Sequence, residues 1–135
     1  MSFEELPHTA DVKIRAHAPT LETLFSEALR ALMQVMYGDD REGGILREVD
    51  IEAPDDEELL ADFLSEILFI SEVDGLVFAG ADIRIHGTTL HAVLDGELFD
   101  RVRHAGGSEV KGISYSGLSI TRDTNGYMLD IIFDV

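Results

Sequence analysis

The stretch DVKIRAHAPTLETLFSEALRAL, residues 11–32, carries two different hydrophobic periods on either side of one proline. Val12, Ile14, Ala16 and Ala18 alternate with Asp11, Lys13, Arg15 and His17, the period of a half-buried strand. Asp11 therefore falls on the polar face. Pro19-Thr20 stops the strand, and Leu21, Leu24, Phe25, Ala28, Leu29 and Leu32 recur at the spacing of an amphipathic helix. Thr20 stands at the N-cap and Glu22 suits the positive end of the helix dipole. Gly38 ends the helix, leaving residues 39–44 as a polar loop.

Outward from this unit the same two periods recur. A strand is predicted over Ile45 to Glu52. Asp55, with Glu58 three residues on, opens a second helix in the manner of a capping box. Its apolar stripe is Leu60, Phe63, Leu64, Ile67 and Leu68, and it should end near Asp74-Gly75. The remainder reads as strands. Leu76 to Phe78 is one, and Asp82 to His86 turns through Gly87-Thr88 into a partner around Leu90, Ala92 and Leu94. Arg101 to Ser108 is polar and glycine-containing, hence a loop, and strand character resumes at Val110 to Tyr115. The inward positions change parity between Ile113, Tyr115 and Leu118, Ile120, which needs an extra residue; Gly117 is the natural bulge. Asn125-Gly126 should turn the chain into a last strand, Tyr127 to Val135. There Leu129, Ile131 and Phe133 share one face, and Asp130 and Asp134 the other. The sum is an α+β fold in two layers: a twisted mixed or antiparallel sheet of six to eight strands with two helices packed on one face.

With 135 residues and 45% hydrophobic content, the chain fits one compact domain over residues 1–135 that needs no metal or disulfide as a staple. No stretch is long and apolar enough to span a bilayer, and the N-terminus is acidic where a signal peptide would be basic, so a cytoplasmic protein is expected. Ten Lys and Arg stand against 27 Asp and Glu, a net charge of −17 that repels phosphate backbones. Direct nucleic-acid binding is not expected; solubility, attraction of cations and docking on a basic partner protein all suit this field, and composition does not choose among them.

Two segments concentrate oxygen chemistry: His8-Thr9-Ala10-Asp11 before the first clear strand, and Asp130 with Asp134 on the polar face of the last. Two carboxylates, a backbone carbonyl and waters are what Ca²⁺ or Mg²⁺ takes. The chain has no cysteine and no His cluster for zinc. Alone, each segment reads equally well as local backbone satisfaction or a solvated strand. Spacing does not show that residues 11 and 134 meet. Arg101, Arg103 and His104 form the only local basic cluster; it could accept a phosphate or an acidic side chain, but it lacks the context and spacing of a phosphate-binding loop, and a flexible loop is the favoured reading. Tyr115 reads as an inward core tyrosine. A hydrolase using Asp11, Asp134 and His104 would have too few ligands and no positioned base, so no enzyme is expected.

Several segments resemble archeases when taken in order: Pro7-His8-Thr9-Ala10-Asp11 before an alternating strand, Thr20 to Phe25, Asp56 to Leu68, Gly96-Glu97 with Asp100, Arg103 and His104, Val110 to Tyr115, and Phe133-Asp134-Val135. The resemblance implies a non-catalytic, chaperone-like cytoplasmic accessory of tRNA splicing. Such a protein promotes guanylylation and repeated turnover of the RtcB-type RNA ligase, and in some archaea modulates a tRNA methyltransferase. It implies a calcium site, or one for another hard cation such as magnesium or manganese, at Asp11, Asp134 and the Val135 carbonyl. It also implies partner-docking or supporting roles for His8, His104, Lys111 and Tyr115. The chain departs from the family at Ser116, where archeases commonly have a histidine.

Overall fold

The computed structural model describes residues 1–6 and 11–135. Among these residues the order is β1 (Ser2–Leu6), β2 (Asp11–Ala18), α1 (Leu21–Tyr37), β3 (Ile45–Glu52), α2 (Asp56–Asp74), β4 (Leu76–His86), β5 (Thr89–Leu98), β6 (Gly112–Asp123) and β7 (Gly126–Asp134). Both helices start where their caps dictate. The Thr20 hydroxyl accepts from the Thr23 amide at 3.2 Å, and the Thr23 hydroxyl returns the bond from the Thr20 amide at 3.1 Å. Asp55 accepts from the Glu58 amide at 2.8 Å. Such caps satisfy amides that the first helical turn leaves without carbonyl partners. Gly38 and Gly75 stop the helices.

The α+β class stands, with a division of the strands that alternation did not reveal. Two separate antiparallel sheets form, β1-β2-β7-β6 and β3-β5-β4. Each helix touches both sheets: α1 lies against β2, β7 and β4, and α2 against β6, β3 and β4. This double duty explains why burial spreads over more than one stripe. Leu24, Phe25, Ala28, Leu29, Ala31, Leu32 and Met33 of α1 are all fully buried. In α2, Leu59, Leu60, Ala61, Phe63, Leu64 and Ile67 are likewise at zero exposure. The core forms where the two helices pack against both sheets, and it includes Phe25 and Phe63 at a ring separation of 6.0 Å.

Four local expectations need correction. Ser2–Leu6 is a strand that sequence reading passed over, because Phe3 and Leu6 do not alternate; it pairs with β2, and Phe3 packs on the core. Leu76 to Phe78 and Asp82 to His86 are one strand, β4. Phe78 faces Gly96 and Gly80 faces Asp95, so Ala79 is a single extra residue that keeps pairing alive. The β6 irregularity is larger than one residue. From Ser114 to Ser119 the strand advances five positions while β7 advances two, from Ile132 to Asp130, with Gly117 at φ 76° inside it. An odd excess still flips the parity, so Ile113, Leu118 and Ile120 all pack on the core. Finally, the β6–β7 turn is Thr124-Asn125, with Gly126 already paired to Asp123.

Candidate functional site

The β2–β7 pairing decides where the carboxylates go. Ile14 lies opposite Ile131 and Val12 opposite Phe133, burying one face. The other face is then fixed by the pleat. Across the four-stranded sheet it reads in rows: Glu4, Arg15, Asp130, Ser119; then Leu6, Lys13, Ile132, Ser114; then Asp11, Asp134, Gly112. Asp11 and Asp134, 123 positions apart in sequence, are direct cross-strand partners. Opposed residues of this kind have Cβ atoms roughly 4.5–5.5 Å apart.

Gly112 flanks Asp134 on β6, and a Cβ added there would lie 3.8 Å from Asp134 Oδ2. The Asp134 carbonyl accepts from the Lys111 amide at 2.7 Å, which ties the entry of β6 to the end of β7. Val135 follows, 38% exposed. Two rows away, Arg15 donates to both carboxylate oxygens of Asp130, at 2.8 and 3.2 Å. That contact holds the Asp130 carboxyl below the usual carboxylate range. The donor set at Asp11 and Asp134 is oxygen only and suits a hard cation. Among the described residues no group of three or more His, Asp or Glu is arranged as a metal cage, which also separates His104 from these carboxylates as a joint ligand set. His8 lies outside the described residues.

Of the two partners open to the basic cluster, a phosphate or an acidic side chain, the structure supplies acidic side chains of the chain itself. Arg103 donates to both oxygens of Glu97 at 2.6 and 2.8 Å, and to both of Asp40 at 3.0 Å. It holds both carboxyls below their usual range, and they in turn raise the guanidinium. His104 is 1% exposed. Its Nδ1 accepts from the Asp100 amide at 2.9 Å and its Nε2 lies 2.9 Å from the Asp40 carbonyl, so the ring is the neutral tautomer with its proton on Nε2. These residues lock the 39–44 loop onto the end of β5. A phosphate would have to displace bonds already made.

The lock has an acid signature. Carboxyls lowered in the fold contribute stability in full above their unfolded values, near ~4. They lose it as pH falls through the lower folded values. Unfolding midpoints measured from pH 6 to pH 2 should therefore fall below about pH 4 in the wild type, and more shallowly in an Arg103→Met variant. Equal slopes would contradict the lock.

Tyr115 is a correction too. It is 58% exposed rather than core, and its hydroxyl donates to Asp62 of α2 at 2.9 Å, a bond that raises the phenol above its ordinary value. Lys111 and Ser116 are exposed, the latter inside the β6 irregularity.

One cluster was missed in the sequence because it draws on three elements. Tyr37 at the end of α1, Phe99 after β5 and His104 form a ring triad, with centroids 5.9 Å apart for Tyr37 and Phe99 and 6.0 Å for Phe99 and His104. They line a cleft of about 560 Å³. The only sequence signal was the apolar Leu98-Phe99 pair running past the end of an alternating strand.

Comparison with known proteins places these features in a family. The model of the Archease protein family (MTH1598/TM1083) matches residues 3–135. An archease of Pyrococcus abyssi is 34% identical over 98% of each chain. One from Methanosarcina barkeri is 32% identical over 98% of this chain and 95% of its own. The solution structure of Methanobacterium thermoautotrophicum protein 1598 superposes with a TM-score of 0.84 at 28% identity, covering 98% of both chains. An archease structure from Thermotoga maritima, at 19% identity and a TM-score of 0.69, shares the fold. No helix among the described residues is long and apolar enough to cross a membrane. The match along almost the whole length and the shared fold together show that this chain belongs to the archease family.

Proposed function

We propose that this chain is a non-catalytic accessory of tRNA splicing that activates an RtcB-type RNA ligase, and that it holds a divalent cation, calcium or another hard ion, with Asp11, Asp134 and the Val135 carbonyl. The observation that carries the reading is the register. It sets Asp11 and Asp134 side by side across the strand pair, two carboxylates of the oxygen-only kind that a hard cation takes. A bound cation supplies local positive charge on an otherwise acidic surface.

The residues around it position and do not react. The Lys111–Asp134 backbone bond fixes the end of β7, and the Arg15–Asp130 pair pins the register two rows away. The net charge of −17 favours encounter with a basic protein, the surface expected of a ligase that handles RNA.

The test is reconstituted ligase in multiple-turnover sealing. Wild-type chain with calcium should raise turnover, while Asp11→Ala should leave the ligase near its unassisted rate. Equal rates with and without the wild-type chain would overturn the reading. So would capture of a tRNA methyltransferase from native lysate with the ligase left behind.

A further inference from the structure

The cleft beside the ring triad lies where the C-terminal ends of both helices meet. Met36 and Tyr37 close α1, Glu72 belongs to the last turn of α2, and the 99–109 segment supplies the rest of the lining, Phe99, His104 and Glu109 among it. The Tyr37 hydroxyl and the Ser71 hydroxyl, 2.6 Å apart, tie the two ends together. Each helix terminus carries partial negative charge, and neither helix has a basic residue in its last turn. Arg41 reaches the α1 end by donating to the Gly38 carbonyl, outside the lining.

Three kinds of group therefore converge: aromatic surface, two exposed carboxylates and two helix C-termini. Each attracts positive charge. Aromatic faces attract cations through their quadrupole, and the planar guanidinium combines stacking on a ring with paired bonds to carboxylate better than an ammonium does. His104 adds no opposing charge, because its Nδ1 accepts a backbone amide. At about 560 Å³ the cleft falls within the ~300–1,000 Å³ range of ligand sites.

The surroundings favour a side chain delivered by a protein over a free small cation. Phe99 in the lining is 44% exposed, Leu98 before it is 63% exposed, and Val102, three residues on, is 92% exposed. Val73, next to Glu72, is 64% exposed. Apolar residues left in water around a charged cleft match the centre of a protein interface. A second copy of this chain is the wrong occupant, since it would bring −17 against −17.

We infer that the cleft between the helix C-termini and the 99–109 loop is a docking pocket for an arginine side chain of a basic partner protein. The pocket is distinct from the Asp11–Asp134 site, and its affinity for a guanidinium is a property of the free chain whichever protein the partner is.

The test is an NMR titration of the isotopically labelled full chain with N-acetyl-arginine methylamide, its citrulline counterpart and its lysine counterpart. The arginine probe should shift the ring signals of Tyr37, Phe99 and His104 saturably, with a dissociation constant on the order of 1 mM. The citrulline probe, equal in shape but neutral, should leave them in place, and the lysine probe should bind more weakly. Phe99→Ala, and separately the pair Glu72→Gln with Glu109→Gln, should weaken arginine binding by about fivefold or more while amide spectra stay folded. Asp134→Asn should leave it unchanged. Absence of saturable shifts, equal response to citrulline, lysine binding as tight as arginine, unchanged affinity in folded variants, or loss of binding in Asp134→Asn would each overturn the assignment.

Discussion

Gly126→Ala is expected to destabilise the fold by roughly 2–4 kcal/mol, the sum of backbone strain and a forced packing shift. Gly126 sits at φ 127°, a region side chains rarely adopt. A Cβ there would also run into the Ala18 carbonyl and lie 2.8 Å from Pro19 Cα. Both obstacles are backbone, so neither can rotate away, and β7 would have to leave β2 where the pair begins. Gly87→Ala is the control. Gly87 has φ 60° with nothing within 4 Å of an added Cβ, so only the left-handed penalty of about 1–2 kcal/mol remains. Urea unfolding should rank the two variants in that order, and equal midpoints would show that the close approach is not rigid.

Phe63→Ala should cost about 3–5 kcal/mol. Its side chain is fully buried and packs near Phe25, where α1 and α2 close the core between two sheets. Because each helix supports both sheets, the hole has no solvent edge into which it can relax. A chain of this length should lose roughly 10–20 °C in melting temperature. A loss of only a few degrees would mean that the sheets collapse onto the vacancy.

The Gly126 position also shows what the sequence could and could not disclose. Asn125-Gly126 looks like the central pair of a hairpin turn. The structure places the turn one residue earlier, because glycine is needed at 126 to pass Ala18 and Pro19. Local chemistry identified the right glycine and tertiary contact decided its use. The helices were legible because caps and apolar spacing are local: Thr20 and Asp55 act where the sequence put them. The division into two sheets was not, since alternation fixes which face of a strand is buried and leaves its partner open.

The candidate site splits in the same way. The polar-face positions of Asp11 and Asp134 were readable from alternation alone. Their meeting came only from the resemblance, and the register now places them opposite each other. Tyr115 was misread because the irregularity around Gly117 turns it outward to Asp62. That Arg103 could take an acidic side chain was readable, but which ones was not, because Asp40 and Glu97 come from other segments. The ring-lined cleft needed α1, α2 and the 99–109 loop at once, and no single stretch announces it.

The central claim is that Asp11 and Asp134 share one divalent cation. Crystals grown with calcium, measured for anomalous scattering, test it most directly. The account predicts one peak with carboxylate oxygens of both residues and the Val135 carbonyl at ~2.3–2.6 Å, absent from an Asp134→Asn crystal. A calcium-bound crystal in which the two carboxylates hold no shared ion would contradict it.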